Sequence, residues 1–303
     1  MKQDKDLNQP LPRPQKKRLN YTEPTVKSFL NSCIIYFFKR IVLCPVYVKI
    51  GIYLIALIIC SVIKDFQFFP HTSYFSNKKN FFNKYLVKLG WAWTLSAITP
   101  FILMTSAIYN NLNFNLIKNH LMRILIASLF WFIVTYIFDY IDGQTGSCTS
   151  RAIKTKILCK TNKHEWINGF DISGHTFILM HSLFFMNEES KVFSNLDHYY
   201  KKLIDRLDKH DQNADSLSVN PCYRSKKLYE TLLPFIKLNF IFIGFLSLIW
   251  EVMLLSTCLY FHTMMHKVLA AFSAIAIWFL TYKTWYENKN LPLSPGLPGS
   301  GLL

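Results

Sequence analysis

The chain has 303 residues, 51% hydrophobic and only 17% charged, with a net charge of +16. A soluble domain carries about 25% charged residues, so the composition excludes an ordinary soluble domain and points to a membrane protein. The Lys and Arg excess flanks apolar blocks and comes with no zinc-finger or RNA-binding motif. It is therefore read as a topology and lipid-headgroup signal, and no nucleic acid partner is expected.

Residues 1–45 open with MKQDKDLNQPLPRPQKKR. This polar, basic stretch is too long for the n-region of a signal peptide and is expected to be a cytosolic tail. SFLNSCIIYFFKR (28–40) is apolar but short, so an interfacial helix or re-entrant segment is expected there. Residues 46–286 read as a membrane domain with six apolar blocks, at 46–63, 89–109, 119–138, 172–187, 233–255 and 262–282. A bilayer core of ~30 Å needs about 20 such residues per helix. The expected fold is therefore all-α and polytopic, with six transmembrane helices. The fourth block is short and its first turn is polar. Residues 187–231 read as a cytosolic insertion. Its first half is a charged amphipathic helix with Val192, Leu196, Tyr199, Tyr200, Leu203 and Leu207 on one side, followed by the loop NADSLSVNP. Residues 287–303 form a C-terminal tail.

Six spans put both termini on one side. The Lys and Arg bias runs roughly two to one toward that side, which assigns it to the cytosol. Parity then brings the start of span four (Ser173, Gly174, His175) and the start of span six (His262) to one face, whichever side is inside.

The stretch GFDISGHTFILM (169–180) passes from a polar turn into an apolar helix. Ser173 is a good N-cap, Gly174 allows close backbone approach, and the first free N–H groups suit phosphate oxygens. His175 could protonate a leaving oxygen, or be an interfacial histidine on an ordinary capped helix. His262 and His266 are four apart on one helix face. No nearby Asp, Glu or Cys completes a metal-ligand set locally, so no metal is expected; either His262 alone is catalytic or both are interfacial histidines with no role. Glu251 lies deep in span five, where a carboxylate needs a partner or a role. It could orient a histidine or pair with Lys237 or Lys267. Asp171 could cap the helix or orient a histidine. His181 is read as packing or lipid-facing. Lys154, Lys156, Lys160 and Lys163 line the loop before the helix. Cys148 and Cys159 are the two cysteines of loop 139–171. They either pair in an oxidising compartment or remain separate thiols.

TGSC (145–148), W-x-x-GFDISGH (Trp166 to His175), YFH (260–262), W-x-x-TYKTWY (278–286) and SPGLP (294–298) together resemble the fat storage-inducing transmembrane (FIT) proteins. The resemblance implies a six-span endoplasmic reticulum protein needed for lipid droplet formation and lipid homeostasis, with a core like that of the lipid phosphate phosphatases. It implies a fatty acyl-CoA diphosphatase with a lumenal site, giving acyl 4′-phosphopantetheine and adenosine 3′,5′-bisphosphate without a metal or other cofactor. Carried over by motif, His262 is the nucleophile and His175 the acid, with Ser173 and Gly174 at the phosphate. The superfamily's first motif is not visible. Ser256 and His266 stand where its third motif has an arginine and an acidic residue. The candidates left for those roles are Lys160, Lys163 and Lys267 for phosphate, and Asp171 or Glu251 for orienting His262. The alternative function is a non-catalytic protein that binds diacylglycerol or triacylglycerol and partitions it into droplets, which 26 phenylalanines would suit.

Overall fold

Helices form over each apolar block, and most run past its edges. The computed structural model describes residues 26–66, 73–77, 80–150, 152–211, 221–288 and 290–299. The expected N-terminal tail up to residue 25, most of the NADSLSVNP loop and residues 300–303 lie outside the described residues. In chain order the helices are α1 (Val26–Val42), α2 (Val46–Asp65), α3 (Gly90–Tyr109), α4 (Phe114–Thr145), α5 (Lys156–Thr161), α6 (Gly174–Ser190), α7 (Val192–Asp211), α8 (Pro221–Tyr260) and α9 (Met264–Trp278). A π-helical segment, Phe279–Trp285, prolongs α9. Two short strands, β1 (Ser147–Cys148) and β2 (Trp166–Ile167), pair antiparallel on either side of α5.

Among the described residues, five helices are long and apolar enough to cross a membrane: α2, α3, α4, α8 and α9 with its extension. The remaining apolar block, the fourth, is α6. With 17 residues it is about 25 Å long, short of the ~30 Å hydrocarbon core. It is also the centre of the bundle, packed mainly on α9, α8 and α3. Every residue from Thr176 to Ser190 is buried, as a helix without a polar face requires.

The 187–231 segment, expected as a cytosolic insertion, begins within α6 and ends within α8. Asn187, Glu188, Glu189 and Ser190 lie in the core, where three of them find polar partners. Asn187 donates to the carbonyls of Val42 and Cys44. Glu188 accepts from the Trp278 indole at 2.9 Å. Glu189 takes two bonds from Arg123, at 2.8 and 2.9 Å, and one from the Tyr282 hydroxyl. At the other end, α8 begins at Pro221, well before the expected span at 233. Its 40 residues are about 60 Å long. The projecting part pairs with α7, which buries Val192, Phe193, Leu196 and Leu203. Phe193 stacks on Phe240 and Tyr200 on Tyr229, and the Tyr229 hydroxyl donates to Asp197. The segment is thus half of a helical hairpin.

α1 is a full helix lying along α8. Its Phe38 ring fills the space beside Gly244 where a Cβ would stand.

Candidate active site

The loop between α4 and α6 is rigidly built. Cys148 and Cys159 are joined by a disulfide, with their Cα atoms 5.8 Å apart. The Trp166 indole donates to the Asp142 carbonyl and covers Gly146, where no side chain would fit. The Lys156 ammonium bridges Asp139 and Asp142 at 2.5 Å each. Burial pulls the Lys156 pKa down, and the two carboxylates more than offset this, so it is raised above the ordinary lysine value. Phe170 N–H donates to Thr145 Oγ1. These ties deliver the chain to Asp171 and Ser173 in a fixed path.

Ser173 caps α6. Its Oγ accepts from Thr176 N–H at 3.3 Å and bonds Thr176 Oγ1 at 2.9 Å. Its own N–H donates to the His266 carbonyl at 3.3 Å. That bond ties the start of α6 to the start of α9, the two ends that span parity brings to one face. The Phe170 ring packs edge-on against His266, with centroids 4.5 Å apart. Beside Gly174 lies open space, since a Cβ there would touch nothing within 4 Å. His175 follows on the first turn, half-buried.

His262 sits in the turn between α8 and α9. Its φ is 50°, a left-handed conformation that histidine tolerates better than most residues but that still costs of order 1 kcal/mol. Two groups from elsewhere hold it. The Lys64 ammonium, at the end of α2, donates to the His262 carbonyl at 2.5 Å. Asp171 Oδ2 lies 3.5 Å from His262 Nδ1, an electrostatic contact just beyond ordinary hydrogen-bond length. The fully buried Lys267 ammonium donates to the Cys258 carbonyl at 2.6 Å, near the C-terminus of α8, where the helix dipole favours a cation. Two ammonium groups therefore flank the turn that carries His262.

The structure thus brings Asp171, Ser173, Gly174, His262, His266 and Lys267 to one junction, with His175 in the first turn of α6. It does not bring Glu251 there. That carboxylate accepts from the Lys49 ammonium at 3.0 Å and the Tyr53 hydroxyl at 2.9 Å, so its partner is neither a histidine nor Lys237 or Lys267. Lys160 and Lys163 are exposed beyond the hairpin, with no described contact to the histidine turn. His181 packs in the core between the rings of Trp91 and Phe177 and bonds the Ala127 carbonyl. The rings of His262 and His266 are 6.4 Å apart, and among the described residues no group of three His, Cys, Asp or Glu side chains could hold a metal. Sequence reasoning missed Lys64, counting it only as loop charge. Its position at the last turn of span one was the available signal.

The sequence profile of the fat storage-inducing transmembrane protein family matches residues 71–142 and 137–282. An acyl-coenzyme A diphosphatase FITM2 of Drosophila melanogaster is 35% identical over 295 residues, covering 92% of this chain and 68% of that protein. The proteins of the same name from Danio rerio and Homo sapiens are 34% and 31% identical over 246 residues, each covering 78% of this chain and 82% and 81% of their own. No solved structure matches the chain. Spanning most of the chain at these identities, the matches show that it belongs to the fat storage-inducing transmembrane protein family.

Proposed function

We propose that this chain is a fatty acyl-CoA diphosphatase of the endoplasmic reticulum membrane, and that its site is the junction of α6 and α9. The observation that carries the reading is the single locus of His262, Asp171, the capped start of α6 and two lysine ammonium groups, in a chain whose relatives bear that name. α6 serves as the fourth of six spans, its polar end sealed by partners inside the bundle. Both termini lie in the cytosol and the junction faces the lumen. The loop disulfide supports that placement, because such bonds persist in oxidising compartments.

The chemistry follows from the geometry. Asp171 at Nδ1 favours the tautomer protonated there, so Nε2 attacks a phosphorus of the diphosphate. A P–N bond forms and the bridging P–O bond breaks. His175 gives its proton to the departing phosphate oxygen. Water then loses a proton to His175 and attacks the same phosphorus, the P–N bond breaks, and both products leave. The space beside Gly174 takes phosphate oxygens against the first N–H groups of α6. Lys64 and Lys267 supply positive charge that the absent superfamily arginines do not, and such stabilisation is usually a large catalytic contribution. No step calls on a metal or cofactor.

The test is mass spectrometry of products after purified protein meets oleoyl-CoA. Adenosine 3′,5′-bisphosphate and oleoyl 4′-phosphopantetheine in equal amounts are expected. Loss of neither product in His175→Ala and His262→Ala, with both variants folded, would sink the reading.

A further inference from the structure

A cavity of about 270 Å³ lies between α2 and α8. Ile52 and Ala56 on α2 and Leu254, Leu255 and Cys258 on α8 make its apolar wall. Ile52 and Leu255 are about half exposed, so the groove is open sideways to lipid. One end reaches the candidate active site. The Cys258 carbonyl holds the Lys267 ammonium one helical turn before His262, and Ala56 lies two turns before Lys64, whose ammonium sits on the His262 carbonyl.

Part-way along, the apolar wall is broken by a polar cluster that the mechanism does not use. The Lys49 ammonium and Tyr53 hydroxyl both donate to Glu251 Oε1, and all three residues line the cavity. Ionisable groups at such depth are costly and usually mark a pathway or binding site. Their distance from the reacting atoms is informative. Glu251 precedes His262 by eleven residues, or about 16 Å along a helix. In acyl-CoA, about 13 bonds separate the 4′-phosphorus from the thioester sulfur; an extended chain covers ~3.3–3.6 Å per three bonds, so the arm reaches about 15 Å. With the diphosphate at His262, the terminal amide and thioester come level with the cluster. Lys49 has N–H donors left for their carbonyls, while the Tyr53 oxygen and the second oxygen of Glu251 offer acceptors to the amide N–H.

We infer that the α2–α8 groove holds the phosphopantetheine arm of acyl-CoA, and that Lys49, Tyr53 and Glu251 bind its terminal amide and thioester; this rests on the proposed reaction. The acyl tail leaves between Ile52 and Leu255 into the bilayer. The groove thus separates acyl-CoA from an alkyl diphosphate, which has the same anhydride and no amide.

The experiment is photolabelling in phospholipid nanodiscs, with wild-type and His262→Ala protein. One acyl-CoA probe carries a diazirine next to the thioester, and a second carries it at the far end of the chain. The near-thioester probe should label residues 49–56 and 251–258, and the far-end probe should label mainly lipid. Ala56→Phe, which fills the groove, should cut near-thioester labelling roughly tenfold. Labelling by the near-thioester probe outside those segments, or undiminished by Ala56→Phe, overturns the arm site even if oleoyl-CoA is hydrolysed. Labelling of the groove in a wild-type protein that releases no product leaves the arm site standing and removes the proposed reaction.

Discussion

His262 is held from two separate parts of the chain, the end of α2 and the segment that leads into α6. Lys64 fixes its backbone, Asp171 its ring, and the Ser173–His266 bond fixes the helix that follows. Each residue therefore makes a distinguishable prediction. His262→Ala and His175→Ala remove the proposed nucleophile and acid, and turnover of oleoyl-CoA should fall by at least ~10²-fold in each. Asp171→Asn should lower kcat by roughly tenfold with little change in KM, because it acts on the imidazole and not on bound substrate. Gly174→Ala separates folding from binding. The protein has room for the methyl group, so thermal stability should stay within about 0.5 kcal/mol of wild type. The space it fills is the one assigned to phosphate, so kcat/KM should fall at least ~10-fold. Normal activity in a well-folded Gly174→Ala protein would remove α6 from the phosphate site. Some of these residues were legible in the sequence and some were not. The SGH turn announced a capped helix start, and parity put His262 on its face. Lys64 and Lys49 were not legible, because their partners lie about 200 positions away and only packing brings them together. Glu251 was legible as needing a partner, but which one was not.

At the scale of elements, α6 decides the architecture. Hydropathy marked its apolar stretch but stopped at Asn187, because NEES looks like loop. The structure continues the helix through those residues, giving Asn187, Glu188 and Glu189 partners in Val42, Trp278, Arg123 and Tyr282, contacts that no local pattern carries. α7 was legible for the opposite reason, since its apolar face repeats at helical spacing. Breaking the buried Arg123–Glu189 pair at one end leaves an uncompensated charge, so Arg123→Met should destabilise the protein by about 3–5 kcal/mol. Arg123→Met combined with Glu189→Leu should recover much of that loss, read as the midpoint of thermal aggregation in detergent. The hairpin loop is tied in a different way. The Lys156 pKa is raised by Asp139 and Asp142, so their stabilisation is complete below the ordinary lysine value and fades as pH rises through the raised one. Proteolysis within 149–165 should therefore quicken only at strongly alkaline pH, and Lys156→Met should show the quickened rate already at pH 7.

For the whole molecule, the central prediction is topological. If the α4–α6 loop is lumenal, a glycosylation acceptor placed there is modified. His164→Thr creates one at the exposed Asn162, and the product should shift in size and return after endoglycosidase treatment. The native Asn20-Tyr21-Thr22 acceptor, in the tail assigned to the cytosol, should stay unmodified. The reverse pattern would invert the protein in its membrane and place the histidine junction in the cytosol. That the chain folds into several apolar helices of membrane length could be read from composition, because the bilayer imposes length and hydropathy on each one. How they pack could not, since it depends on which buried polar groups meet.

The most direct measurement is of the covalent intermediate. Protein mixed with oleoyl-CoA is quenched in alkali within the first turnover, digested, and read by mass spectrometry. The account predicts an adduct on His262 in which the phosphorus still carries one half of the substrate, the adenosine 3′-phosphate or the phosphopantetheine side, missing from His262→Ala and longer-lived in His175→Gln, where release by water is slowed. Wild-type turnover by His262→Ala, or an adduct on another residue, would contradict it.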